Sequence, residues 1–138
     1  MDALNILIGN PAFEHVPAEH MVEVGRSGQK RLFMANSVLM TEGDASDNLY
    51  FLVRGKVVVE IGVGGPKSQL LAELGPGEFV GEMGVLRQKP RSATVTALSD
   101  LETLELTLAQ VKEIFRHDHE MLLGFFRIIH QRQLARTD

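Results

Sequence analysis

The chain contains no cysteine. Disulfide frameworks, thiolate nucleophiles and thiolate metal sites are therefore excluded, and a reducing compartment suits the sequence. No apolar run approaches the roughly 20 residues that a membrane-spanning helix needs. The opening segment, MDALNILIGNP, has neither a basic start nor a small-residue cleavage site. No secretion signal is read there, and a cytoplasmic protein is expected. Basic excess is missing as well. The formal net charge of −4 argues against a broad nucleic-acid surface, which would want a basic stripe. It leaves room for one small anion held by a local cluster, because the nearest groups set the field inside a pocket. Histidine is absent between residues 29 and 107. A metal centre of histidines and a glutamate converging from strands in that region lacks its histidines.

What is present is the composition of one folded domain. A chain of 138 residues buries about 68–70% of its unfolded surface. An apolar fraction of 44% with 23% charged residues is ordinary for a globular protein. No internal repeat, low-complexity tract or linker is visible. Residues 2 to 8 read as a short helix stopped by Gly9-Asn10-Pro11, and a second helix is predicted at about 17 to 25, with Pro17 opening it and Gly25 ending it. From residue 29 the period changes. Short apolar runs separated by "TEGDASD", Arg54-Gly55 and "GVGGPKS" read as strands and turns. In "LETLELTL", Leu104, Leu106 and Leu108 alternate with Thr103, Glu105 and Thr107, as in a half-buried strand. Many short strands at this spacing suggest a closed or double-sheet antiparallel architecture. The segment from Leu108 onward returns to helical spacing, with a break at His117–His119. Val111, Ile114 and Phe115 form one apolar face, and Leu122, Phe125, Phe126, Ile129 and Leu134 another.

The most informative stretch is "GEFVGEMGVLRQKPRSATV", residues 77 to 95. Gly81 through Leu86 reads as a short helical turn whose amino end exposes unpaired N–H groups, an arrangement that favours phosphate. Gly81 and Gly84 lack a Cβ, so a ligand can approach the backbone closely. Arg91 brings a fixed charge and a planar fork suited to phosphate oxygens. Ser92 adds a hydroxyl donor, and Ala93 keeps the wall thin. Glu82 would repel a phosphate and is better placed as acceptor for a sugar hydroxyl. Together these residues describe a sugar-phosphate site. The plain alternative is that Glu82 and Arg91 form a surface ion pair contributing ~0–1 kcal/mol, with the glycines serving turns.

The string "GEMGVLRQKPRSAT" closely resembles the phosphate-binding cassette of cyclic nucleotide-binding domains, found in cAMP-dependent kinase regulatory subunits, catabolite-activator-type regulators and cyclic nucleotide-gated channels. The likeness extends to "NPAFEHVPAEHM", to "VLMTEGDASDNLYFLVRGKVVV" and to "LAELGPGEFVGE", and covers about residues 10 to 135. It implies a mainly β fold with flanking helices: a double-stranded β-helix (jelly-roll) barrel with short N-terminal helices and two C-terminal helices. The implied organisation is one domain over 1–138, with N-terminal helices in 1–27, the β-roll in 28–107, the cassette at 79–94 and lid helices in 108–138.

The resemblance also implies roles. Arg91 pairs with the exocyclic phosphate oxygens, and Glu82 accepts the ribose 2′-hydroxyl. Backbone amides around Gly81, Met83, Gly84 and Ser92 complete the cradle, beside Ala93. Asp47 reaches the arginine from a neighbouring loop, with Val80 and Leu74 in support. The last helix supplies a lid over the base, from Phe126, Arg127, His130, Gln131 and Leu134. Two departures from the family pattern are modest: Asn36 stands where glycine is common, and asparagine tolerates positive φ; Gly84 replaces a commoner alanine.

The expected function is a non-catalytic cyclic nucleotide sensor, cAMP favoured over cGMP, with no catalytic cofactor. Occupancy would be coupled to movement of the C-terminal helices, and through them to an effector domain or partner protein not present in this chain. Alternatives are a cGMP-preferring member, a degenerate member acting only as a protein-interaction module, and, remotely, a cupin-type metal enzyme. The start at Met1 points to a small regulatory protein or an amino-terminal module. Other features read plainly. "RHDHE" (116–120) is a break between helices rather than a metal site, because positions i and i+2 of a helix face different sides. His15 and His20 carry no constellation. The basic residues Arg127, Arg132 and Arg136 are expected on a solvated helix face.

Overall fold

The computed structural model describes residues 10–45, 47–82 and 89–136, with side chains to residue 132. The helix expected over residues 2–8 lies outside the described residues. The described chain begins with a 3-10 turn, Pro11–Phe13, and a helix α1, Ala18–Ser27. Strands follow: β1 Gln29–Phe33, β2 Val38–Met40, β3 Asn48–Arg54, β4 Val57–Ile61, β5 Gln69–Leu74, β6 Phe79–Val80, β7 Thr94–Ala97 and β8 Leu101–Thr107. Helices α2, Leu108–His117, and α3, His119–Arg136, close the described chain. No described helix is long and apolar enough to cross a membrane.

The strands form two four-stranded antiparallel sheets, in the orders β1-β8-β3-β6 and β2-β7-β4-β5. Strand β3 shows why the sequence builds two cores. Side chains alternate across a strand. Leu49, Phe51 and Val53 join one cluster with Phe13, Met21, Val24, Val111, Met121, Phe125 and Ile128 from the helices. Tyr50 and Leu52 join the other, with Met40, Val57, Val59, Val80 and Val95, between the two sheets. Both faces of β3 are thus buried, and each large side chain fully buried there contributes roughly 1.5–3 kcal/mol.

Three local expectations change. α1 continues through Gly25 to Ser27, and the chain turns at Gly28, whose N–H still reaches Val24 O at 3.3 Å. The simple alternation read in β8 holds only in part, because the register against β3 shifts between Leu52 and Arg54. Thr103 is buried together with Leu101, Leu104 and Leu106, and its hydroxyl donates to Arg31 O at 2.9 Å. Leu108 belongs to α2, not to the strand; Thr107 caps that helix through a reciprocal pair of bonds with Gln110.

The break at "RHDHE" is a capped junction. Asp118 Oδ1 accepts from Met121 N at 3.0 Å, opening α3, and Asp118 Oδ2 lies 2.5 Å from His20 Nδ1 on α1. His20 therefore has a partner that the sequence did not reveal. α3 packs onto the 3-10 turn so closely that a Cβ on Gly124 would stand 2.5 Å from a Phe13 ring carbon. Arg127 Nη1 donates to Ala12 O at 3.1 Å.

Candidate functional site

A cavity opens at the edge of the inter-sheet core. Met40, Val59, Leu71, Ala72, Leu74, Val80, Ala93 and Val95 make its apolar wall, and Gly81, Glu82, Arg91, Ser92 and Arg132 its polar end.

Arg91 is held there from its backbone outward. The loop between β2 and β3 bonds it on both sides: Gly43 N donates to Arg91 O at 2.9 Å, and Arg91 N to Asp44 O at 2.8 Å. The same loop is anchored by Glu42, whose N–H donates to Thr94 Oγ1 at 3.1 Å and whose carboxylate accepts from Gly62 N at 2.8 Å. Arg91 is 7% exposed. Its Nη2 donates to Asn48 Oδ1 at 2.5 Å and its Nη1 to Gly81 O at 3.4 Å. Burial lowers the pKa of Arg91 from the ordinary arginine value, while Tyr50, Asp47 and Glu82 pull the other way. Arginine nevertheless stays protonated in proteins. Among the described residues Arg91 forms no ion pair with a carboxylate. It is a buried cation beside a cavity, oriented by neutral acceptors.

Gly81 is required by its neighbours. Its φ is +94°, and a Cβ would sit 2.6 Å from Arg91 Nη1 and 3.0 Å from Asn48 O. Only glycine fits a left-handed backbone pressed against that guanidinium.

Glu82 is 3% exposed. It does not pair with Arg91, which removes the surface-pair alternative. Its Oε1 lies 2.6 Å from Arg132 Nη1. The Arg132 guanidinium also stands over the Phe79 ring, 5.5 Å from its centroid. A side chain from α3 thus reaches into the cavity and meets the carboxylate.

Of the residues expected at the site, Gly81, Glu82, Arg91, Ser92, Ala93, Val80 and Leu74 line this one cavity. Met83 and Gly84 lie outside the described residues, as does the side chain of Leu134. Asp47 is not the arginine's bonded partner. It acts on Arg91 through space, and its carbonyl accepts from Leu108 N at 2.8 Å. The neighbouring Asn48 makes the bond instead. Three of the expected lid residues sit elsewhere in this structure. Phe126 is 51% exposed, His130 is exposed, and Arg127 is bonded to the 3-10 turn. None of them lines the cavity; Arg132 does. Helical periodicity carries the reason. Arg132 follows Phe125 by seven residues and Ile128 and Ile129 by four and three, so it shares their buried face. Asn48 was likewise findable, since it stands two residues before Tyr50 on one face of β3.

Among the described residues no three His, Cys, Asp or Glu side chains gather where they could hold a metal. The comparisons agree with the geometry. A family model for the cyclic nucleotide-binding domain matches residues 30–118. Over 116 residues the chain is 34% identical to a cyclic nucleotide-gated potassium channel of Mesorhizobium japonicum, covering 77% of this chain and 31% of the channel. The catabolite activator protein of Thermus thermophilus superposes with a TM-score of 0.79 at 30% identity, covering 94% of this chain and 60% of that one. The regulatory domain of Toxoplasma gondii PKA, solved with cAMP, gives a TM-score of 0.73 at 27% identity over 81% of this chain and 42% of that one. The chain spans from 25% to 54% of the length of the first curated channels and regulators it matches. By its jelly-roll fold and by these likenesses, the chain belongs to the cyclic nucleotide-binding domain family.

Proposed function

We propose that the chain is a non-catalytic sensor of a cyclic nucleotide, cAMP in preference to cGMP, and that occupancy is transmitted through α3. The observation that carries this reading is Arg91, buried beside an apolar cavity with no carboxylate paired to it among the described residues. A buried cation without a counter-charge favours an anion, and the apolar wall of Val59, Leu71, Ala72 and Val95 favours a flat base. In this reading Arg91 takes the exocyclic phosphate and Glu82 the ribose 2′-hydroxyl, beside Gly81, Ser92 and Ala93. Relatives whose names state cAMP activation or binding include the regulator Vfr of Pseudomonas aeruginosa and the Toxoplasma domain; they support cAMP.

The route to α3 runs through Arg132. A ligand hydroxyl at Glu82 competes with Arg132 for the same carboxylate oxygens, so occupancy and the position of α3 are linked. A ligand shifts that equilibrium only by its differential affinity for the two helix positions. The output domain or partner, and a cytoplasmic location, are part of this proposal.

A thermal-shift panel of cAMP, cGMP and 5′-AMP tests it. A specific ligand at 100 times its dissociation constant stabilises by about 2.7 kcal/mol. Arg91→Ala removes two or more charge-assisted bonds of about 1.5–3 kcal/mol each, a loss of roughly a hundredfold to ten-thousandfold in affinity with the fold intact. Wild-type binding by that variant removes the mechanism, and tighter binding of cGMP than of cAMP reverses the base preference.

A further inference from the structure

The bond that aims Arg91 comes from an uncharged group. Asn48 Oδ1 accepts from Nη2 at 2.5 Å, and the other neighbour, the Gly81 carbonyl, is neutral too. The acids close by are engaged elsewhere or act only through space: Glu82 is paired with Arg132, and Asp47 makes no bond to the guanidinium among the described contacts. An aspartate at position 48 would have nearly the same shape and would accept the same bond, but it would neutralise the cation. An arriving phosphate would then have to displace a carboxylate of its own sign from the guanidinium.

The orientation of the Asn48 amide is fixed chemically. Arginine only donates, so Asn48 presents its oxygen to it, and the amide nitrogen is left for Tyr50 Oη at 3.4 Å. Asn48 also opens β3 and is registered opposite Thr107 of β8, so the amide stands on a paired strand and not on the preceding loop.

We infer that Asn48 is a positioning residue of the anion site: it aims the Arg91 guanidinium toward the cavity while leaving the positive charge unspent. This inference rests on the reading of Arg91 as the phosphate-binding group.

The test uses the full chain and four variants: Asn48→Asp, Asn48→Ala, Arg91→Ala and the Asn48→Asp/Arg91→Ala double variant. The ligand-free melting temperature and the cAMP dissociation constant by calorimetry are read for each. Asn48→Asp lowers cAMP affinity roughly tenfold to a hundredfold, the range one charge-assisted hydrogen bond covers. Its ligand-free melting temperature stays at or above wild type, because the new carboxylate meets a buried cation. In the Arg91→Ala background the same substitution lowers the melting temperature, since the carboxylate then stands near Asp47 with no partner. Asn48→Ala loses affinity without any gain in melting temperature. An Asn48→Asp protein that binds cAMP as wild type does overturns the inference. So does one that loses affinity and melting temperature together, which would make Asn48 a packing residue. A wild-type chain that binds none of the cyclic nucleotides overturns the reading of Arg91, and this inference with it.

Discussion

Arg132→Ala isolates the contact between α3 and the cavity. The pair it removes is short, 2.6 Å, and lopsided in burial, with side-chain exposures of 23% for Arg132 and 3% for Glu82. Opposite charges about 4 Å apart attract by about 4 kcal/mol at an effective dielectric of 20. Breaking a fully buried pair costs about 3–5 kcal/mol, because a charge is left without a partner. Arg132 is partly solvated, and its removal lets water reach Glu82, so the lower part of that range applies. The contact with Phe79 adds about 0.5–1 kcal/mol. The expected loss is about 2–4 kcal/mol. Each kcal/mol moves the melting temperature of a domain this size by roughly 3–5 °C, so a fall of roughly 6–20 °C is expected. Glu82→Gln and the Glu82→Gln/Arg132→Ala variant complete the cycle by thermal melts in the absence of nucleotide. The double variant carries no orphaned charge and should be less impaired than the sum of the singles by at least about 1 kcal/mol. Additivity within about 0.5 kcal/mol would refute the reasoning, since independent sites add to that accuracy.

Gly81→Ala should lower both stability, by roughly 1–3 kcal/mol for the strained backbone, and nucleotide affinity, because the new methyl displaces Arg91; melts and titrations on one preparation read both. Asp118→Ala loses the bond to Met121 N and the partner of His20, so it should destabilise by about 1–3 kcal/mol. His20→Ala should cost less, and the reverse order in denaturant midpoints would contradict the capping role. Tyr50 is the one tyrosine in the chain, so its phenolate absorbance is unambiguous. Burial, with Glu105 next, raises its pKa in the folded protein. The native titration should therefore lie above that of the denatured chain near about 10. The sign follows: this contribution to stability is complete below the unfolded value and is lost as pH rises through the folded one. Coincident titrations would count against the burial.

The architecture was legible because its signals are local. The short apolar runs of the strands, the partial alternation in β8, the Arg54-Gly55 turn and the helical spacing after Leu108 each depend on a few neighbouring residues. Asn36, expected to tolerate a left-handed backbone, has φ of 73°. The cluster of Glu82, Arg91 and Ser92 was legible because one short segment carries all three. What was missed depends on distance in sequence. His20 and Asp118 are 98 residues apart, and Arg132 meets Glu82 only once α3 has folded back to the cavity. The exchange of Asp47 for Asn48 is a matter of one residue of strand phase. That phase is set by the pairing of β3 with β8 and not by the loop that precedes it.

Strand β3 contributes to both hydrophobic clusters, so neither can be dismantled alone. Loosening the helical layer strips Leu49, Phe51 and Val53 of their neighbours and leaves a wall that Tyr50 and Leu52 still need on the opposite side. The sheets and the helices are therefore thermodynamically one body. They should yield in a single cooperative event, and a disturbance entering at either layer is felt in the other through this shared partition.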